Sequence, residues 1–304
     1  MRPASIHTMA LDELVVDIHK LISETSGYQS TVAGRLTNLP DLTTDDYADA
    51  QMQSNARKAL DFVLPYICST GARSVLDVGC GVGKMVTTLG ESGYDTYGVD
   101  LSGLQSRWKQ LDMPATRFFV VGPETLVLPF RDNSLDFAFS LGVIEHVGTT
   151  DGHADRRPDY HEVRRQWVQE IFRILTPGGH MLLAGPNRGF PIDVAHGLDS
   201  RSTALERILS GWLGVSVHKT WGSNFLWGYA DFHLYLSGHS YSVMPLSIAS
   251  YVHYSRVPGL LRSLVKSYVD RLPAYLLGTG FNPWTAALIR KNPSLLPSQT
   301  NKHG

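Results

Sequence analysis

The sequence predicts an α/β fold: a doubly wound, mostly parallel sheet with helices before it and an aromatic-rich elaboration after it. Three observations carry this expectation. Short apolar runs alternate with helical patterns from Arg73 onward, which is the signature of parallel βαβ crossovers. One of those runs, "SVLDV", passes directly into three alternate glycines, Gly79, Gly81 and Gly83. The composition, 43% hydrophobic and 18% charged over 304 residues, is that of an ordinary globular chain.

Taken in order, Leu11, Leu14, Val15, Ile18, Leu21 and Ile22 recur at helical spacing, so a first helix is expected over 9–24. A turn-rich stretch follows, then a second helix over 44–66, and residues 1–70 read as a helical extension. The core is expected over 71–187. Its runs are "SVLDV" (74–78), "YDTYGV" (94–99), "TRFFVV" (116–121), "LDFAFS" (135–140) and "HMLLAG" (180–185). Val163, Trp167, Ile171 and Ile174 keep one helical face before the fifth run, and "TPGG" ends that helix. Residues 188–280 read as an elaboration, with ten aromatics between Trp212 and Tyr254. Core packing and pocket lining are both open to those rings, since aromatic side chains serve either. "WTAALIRK" (284–291) is expected to close the sheet as a last strand within a final segment over 281–304.

The bulk properties narrow the function classes. A net charge of −1 supplies no global field toward nucleic acid, and no basic stripe is evident. Cys68 and Cys80 are too few for a disulfide framework or a zinc cluster, which suits a reducing, cytoplasmic compartment. Acidic residues interrupt the N-terminal apolar run, so no secretory leader is read, and no stretch approaches the ~18 apolar residues of a membrane span.

The glycines after the first strand let the backbone turn sharply and let a ligand approach it. A phosphate loop is excluded because Val78 stands where its first glycine belongs and Met85 where its hydroxyl belongs. The dinucleotide fingerprint, and with it a nicotinamide-dependent oxidoreductase, fails at Lys84. What remains is D-x-G-x-G-x-G, whose Asp77 suits a ligand that carries a cation. Asp100 ends the second run, where a carboxylate accepts hydrogen bonds from ribose hydroxyls or caps the following helix.

Together with "LPFRDNSLDFAFSLGVIEHV" (128–147) and "EIFRILTPGGHMLLAGPN" (170–187), these stretches resemble the class I S-adenosylmethionine-dependent methyltransferases, and within them the type 11 group. The resemblance runs from Ser74 to Asn187. It implies a Rossmann-like seven-stranded sheet and S-adenosylmethionine as cofactor. By position, Asp77, Gly79, Gly81 and Gly83 would hold the methionine end, with Ser140 and Leu141 bordering it. Asp100 would hold the ribose and Leu101 would pack on the adenine. The family's adenine-binding aspartate is replaced here by Pro123, and Glu124 beside it is the candidate substitute.

His146 follows the fourth strand, where the methyl group would emerge, and is the candidate general base; bracing of its own turn by Glu145 and His146 is the competing account. No metal site is expected: the E-x-x-E-H arrangement of some quinone-pathway relatives lacks its first carboxylate here, where Gly142 stands. The charged stretch 148–165, with His153 and His161, reads as a solvated connection or a lid. Asn187, Arg188, Asp193 and His196 follow the fifth strand and read as substrate contacts or as turn chemistry. Over 256–272 an apolar stripe (Val257, Leu260, Leu261, Leu264, Val265, Tyr268 and Leu272) lies beside basic residues. Such a helix packs on its own domain or rests on a membrane surface or lipid-like substrate. The expected activity is methyl transfer to an O, N or C atom of a small apolar or amphiphilic molecule. The alternative is a non-catalytic binding protein on the same fold, contacting a membrane or partner.

Overall fold

The structure, a computed structural model, describes residues 45–100, 105–121, 127–149, 155–193, 196, 198–222, 224–252, 254, 257 and 259–293. The helix expected over 9–24, together with Leu101, Glu124, His153 and Arg256, lies outside the described residues.

Helix α1 (Asp45–Lys58) runs through a π-helical turn at Ala59–Val63 into α2 (Leu64–Thr70), so the second expected helix extends four residues further than its periodicity suggests. Gly71, left-handed at φ +68°, ends it, as glycine does at helix C-termini. Strand β1 (Ser74–Val78) leads into α3 (Lys84–Glu91), β2 (Asp95–Asp100), the short α4 (Gln105–Trp108) and β3 (Phe118–Val120). Then come β4 (Leu135–Leu141), α5 (Tyr160–Ile174) and β5 (Leu175–Pro186). "TPGG" lies inside β5 as an irregularity between the pairs Leu135–Leu175 and Phe137–His180.

Beyond β5 a small ribbon forms from β6 (Ile192–Asp193) and β7 (Ser216–Val217), with α6 (Ala204–Leu213) between them. Helix α7 (Tyr229–Tyr235), β8 (Tyr241–Pro245), α8 (Gly259–Asp270) and β9 (Trp284–Lys291) complete the order. Among the described residues the main sheet has seven strands in the order β3-β2-β1-β4-β5-β9-β8. β1 to β5 are parallel, β9 is antiparallel to β5, and β8 is antiparallel to β9. The seventh strand is β8, which the sequence places in the elaboration. Its five residues alternate between more and less exposed faces at the sheet edge, and a run that short gives little periodicity to read.

The strand order reverses at β1, flanked by β2 and β4. In open α/β sheets the crevice at the carboxyl ends of such strands is where ligands bind. One apolar layer holds Leu76, Val99, Leu135, Val168, Ile171 and Leu183; the other holds Phe62, Ile67, Leu89, Phe137, Leu182 and Ala286. α5 faces the core through Arg164, Trp167, Val168, Ile171, Phe172 and Ile174. Arg164 thus occupies the buried position that the sequence reading gives to Val163. The aromatic segment divides: Phe225, Trp227, Phe232, Tyr235 and Tyr251 are buried, whereas Trp212 and Trp221 are each 83% exposed. The apolar stripe of α8 is also turned outward, with Leu260 99% and Leu264 69% exposed and Val269 buried.

Candidate active site

The β1–α3 turn is held by short bonds to the neighbouring strand. The N–H groups of Gly79 and Cys80 both donate to the Val99 carbonyl, at 2.8 and 3.0 Å, and Gly83 N–H donates to Cys80 O at 2.9 Å. Gly79 has φ +86°, and a Cβ there would lie 2.4 Å from Val143 Cγ2. The absent side chain therefore makes room for the protein's own β4 turn as well as for a sharp bend. Gly81 N–H donates to Asp100 Oδ2 at 2.5 Å, and the Trp108 indole N–H donates to Gly81 O at 2.8 Å. The tip of β2 thus fixes the glycine turn.

Asp77 is 5% exposed at the end of β1. Burial pushes its carboxyl well above the ordinary carboxylate range, and the charge of Asp100 adds to the shift. A pair of acidic groups in this setting favours a cation between or beside them. Ser140 donates to Val78 O at 2.6 Å and so ties β4 to β1, while Leu141 packs into the second apolar layer.

The turn after β4, whose Val143 lies against Gly79, carries ionisable side chains that converge. Glu145 is 0% exposed, and among the described residues neither of its carboxylate oxygens has a hydrogen-bond partner. Burial, partly countered by His196, pushes its pKa up to about 7. His196 Nε2 lies 3.7 Å from Glu145 Oε1, and His196 Nδ1 lies 2.8 Å from Asp193 Oδ2. The His146 and His196 rings are 5.0 Å apart, centre to centre. One ligand atom each from Glu145, His146 and His196 lies within 4.8 Å of the others. Glu145 and His146 after β4 therefore meet Asp193 and His196, which follow β5, at one edge of the sheet.

Arg164 holds this turn in place. Its guanidinium donates to the carbonyls of Val147 (2.9 Å), Glu145 (2.8 Å) and Phe225 (2.5 Å), and it is fully buried. Sequence reasoning does not single it out; the available signal is its phase, three residues before Trp167 on the helix's apolar face. An aromatic wall stands nearby: an added Cβ on Gly142 would lie 3.9 Å from both the Tyr251 hydroxyl and Trp284, whose rings are 5.0 Å apart. Trp227 Nε1 and Glu145 Oε2 both approach the space where Gly185 lacks a side chain.

Other sequence-derived candidates are engaged elsewhere. Asn187 donates to Thr279 O and Asn282 O and accepts from Gly189 N–H; Arg188 pairs with Asp231. These bonds fasten the end of β5 to the chain's later segments. His161 sits on α5, with its ring nitrogens 2.5 Å from Tyr160 Oη and 3.0 Å from Tyr235 Oη, so it belongs to a packed helix and not to a lid.

Residues 76–183 match the family described as methyltransferase domain. The chain is 32% identical over 110 residues to a probable tRNA methyltransferase 9B of Mus musculus, covering 36% of this chain and 21% of that protein. It is 25% identical over 127 residues to O-methyltransferase resE of Aspergillus sclerotiorum (39% and 41% covered). It is 27% identical over 162 residues to a probable S-adenosylmethionine-dependent methyltransferase of Mycolicibacterium smegmatis (49% and 54% covered). The chain thus spans between a fifth and just over half of the length of these relatives.

Proposed function

We propose that this chain, which carries a class I, type 11 S-adenosylmethionine-dependent methyltransferase domain over residues 76–183, transfers a methyl group to an oxygen atom of a small apolar or amphiphilic molecule. The observation that carries this reading is the meeting of two features at the carboxyl edge of β1 and β4. One is the acidic glycine turn, and the other is the cluster of Glu145, His146, Asp193 and His196. Val143, packed against Gly79, joins them through a single turn.

S-adenosylmethionine, when bound, supplies an electrophilic methyl group on a sulfonium centre. Its fit to this crevice rests on charge and shape: buried Asp77 favours a neighbouring cation, and the turn is fixed in a bent state by Val99 and Asp100. Asp77 and Gly79, Gly81 and Gly83 would hold the methionine end and Asp100 the ribose. Ser140 and Leu141 would border the sulfur side.

For the acceptor, the chain provides orientation and proton removal. Placing a nucleophile in line with the methyl carbon at ~3 Å is the largest available gain, and a general base adds roughly 10²–10⁴-fold. A hydroxyl is the acceptor class that needs such a base, and imidazole and carboxylate acceptors converge here. His146 is the residue assigned to this step, with Arg164 fixing its turn through the backbone. The partly exposed Trp284 ring beside Gly142 would supply an apolar surface for the acceptor's body, backed by buried Tyr251. A chain with a net charge of −1 offers little to a polyanionic acceptor, which favours a small molecule.

The test is equilibrium dialysis with labelled S-adenosylmethionine, followed by label transfer to a panel of hydroxylated amphiphiles, amines and activated carbon acids. Saturable binding with label in ether linkage supports the reading. Folded protein without saturable binding overturns it, and transfer confined to amines or carbon moves the acceptor assignment.

One observation favours a second reading, in which the chain also docks on a lipid surface. Helix α8 presents Leu260, Leu261 and Leu264 outward beside Arg262 and Lys266. Flotation with anionic vesicles tests it: Leu260→Asp with Leu264→Asp should abolish co-flotation while cofactor binding persists. Wild-type protein that stays at the bottom of the gradient ends that reading.

A further inference from the structure

Tyr251 carries a hydroxyl that the protein itself leaves unbonded. The residue follows β8 and is 4% exposed, in a turn closed by its own N–H to Ile248 O at 2.9 Å. Its ring centre lies 5.1 Å from that of Phe62 and 5.0 Å from that of Trp284, with the Lys58 ammonium 4.7 Å away. The ring is therefore fixed on several sides. Its hydroxyl nonetheless makes no hydrogen bond among the described residues, and the oxygen is not one of the fully enclosed polar atoms. A phenolic O–H in an apolar setting ordinarily finds a partner, because leaving the bond unmade costs free energy. A fixed ring with an unbonded hydroxyl that is still reached from outside is prepared for a ligand.

Gly142 marks the space that this hydroxyl borders. It follows directly on Leu141, the last residue of β4, with φ +72° and its N–H donated to Ala184 O at 2.7 Å. The first atom of a side chain there would lie 3.6 Å from Glu145 Oε1 and 3.9 Å from both Tyr251 Oη and the Trp284 ring. These are ordinary contact distances, unlike the 2.4 Å clash that a Cβ on Gly79 would meet, so the place over Gly142 has room for an atom. Gly142 and Trp284 are partly exposed, and the space opens to solvent. The next residue, Val143, lies against Gly79, which sets this space beside the turn assigned to the cofactor. A small polar group seated over Gly142 has the Tyr251 hydroxyl, the Glu145 carboxylate and a ring edge as its neighbours.

We propose that the Tyr251 hydroxyl donates a hydrogen bond to the acceptor's oxygen, which sits over Gly142 during transfer. This assignment rests on the methyl-transfer reading and adds to it a residue from the segment after β8. Burial first, and the charges of Glu145 and Asp77 after it, push the Tyr251 pKa above its ordinary value. The phenol therefore keeps its proton at neutral pH and serves as a donor, not as a base. In the transfer the acceptor's O–H bond breaks and its proton goes to the base, the role assigned to His146. The oxygen forms its bond to the methyl carbon, and the electron pair of the old carbon–sulfur bond stays on sulfur. Tyr251 neither gains nor loses a proton in this step. Its O–H occupies one lone pair of the oxygen, aims another at the methyl carbon, and stabilises the negative charge that builds as the proton leaves.

Initial rates of the full chain test this, with labelled S-adenosylmethionine and the hydroxylated panel, of which phenol and octanol are the simplest members. Tyr251→Phe keeps the ring and its packing and removes only the O–H. Its kcat should fall roughly 10–100-fold. The acceptor KM and the S-adenosylhomocysteine dissociation constant should each stay within about threefold. The rise of rate with pH should also move to higher pH, because the acceptor's oxygen loses a donor that favours its ionised form. A residue that only packs would leave that profile in place. Gly142→Ala, for which the protein has room, should instead raise the acceptor KM about tenfold or more while cofactor affinity persists. If Tyr251→Phe turns over within about twofold of wild type on an acceptor that wild type methylates, the proposal is overturned and the methyl-transfer reading stands. Loss of S-adenosylhomocysteine binding in step with turnover also overturns it, by placing Tyr251 in the cofactor site. So does an unchanged acceptor KM in Gly142→Ala, which moves the acceptor elsewhere. If folded wild type methylates no hydroxyl of the panel, the oxygen-transfer reading falls and Tyr251 loses this role with it.

Discussion

The carboxylate of Asp100 accepts the backbone N–H of Gly81 at 2.5 Å, joining the tip of β2 to the middle of the turn that follows β1. A residue expected to hold a ribose therefore also shapes the loop that would hold the rest of the cofactor. Replacing Asp100 by Ala removes a charge-assisted bond and should weaken S-adenosylmethionine binding by about 1–3 kcal/mol. Calorimetric titration checks this, and unchanged affinity would remove Asp100 from the cofactor site.

Asp77 is expected to oppose folding at neutral pH and to support binding. Burial first, and Asp100 second, raise its folded-state pKa. Its contribution to stability is therefore fully present below the unfolded carboxylate pKa and is lost as pH rises through the raised folded value. Cofactor-free Asp77→Asn should melt higher than wild type at pH 7–8, with the difference closing toward pH 4. Cofactor affinity should rise with pH through the same window in wild type and stay flat and weaker in the variant. Melting curves and titrations across pH 4–8 measure both.

Gly79→Ala meets two obstacles, a φ of +86° and Val143 Cγ2 at 2.4 Å. A destabilisation of roughly 2–4 kcal/mol is expected in urea unfolding. Shortening the neighbour with Val143→Ala should relieve the steric part and leave the conformational part of about 1–2 kcal/mol. Strictly additive costs in the double variant would show that the two residues do not press on each other.

Arg164→Met keeps the apolar stem and removes donors to three backbone carbonyls. A loss of about 3 kcal/mol or more in folding stability follows from leaving those buried carbonyls without their charged partner. Because two of them belong to the 145–147 turn, turnover should fall at least tenfold while the cofactor dissociation constant stays within about twofold. A variant that is destabilised yet turns over normally would confine Arg164 to packing.

The parts legible in the chain's own pattern are those set by local periodicity and by residues adjacent in sequence. Strands β1, β2, β4 and β9 and helix α5 follow from apolar spacing, and the bend after β1 follows from glycines two apart. The same reading singles out Asp193 and His196 after β5, and His146 after β4, without joining them.

Only the tertiary structure decides that Asp193, His196, His146 and Glu145 share one small volume, because the two turns become neighbours through pairing of β4 with β5. It alone decides that Arg164 faces inward, since an isolated helix places no penalty on which way a guanidinium points, and burial is affordable only where three carbonyls await it. Nor does spacing alone choose between burial and exposure for amphipathic α8: an apolar stripe states a preference for company, and the neighbouring elements determine whether any is present.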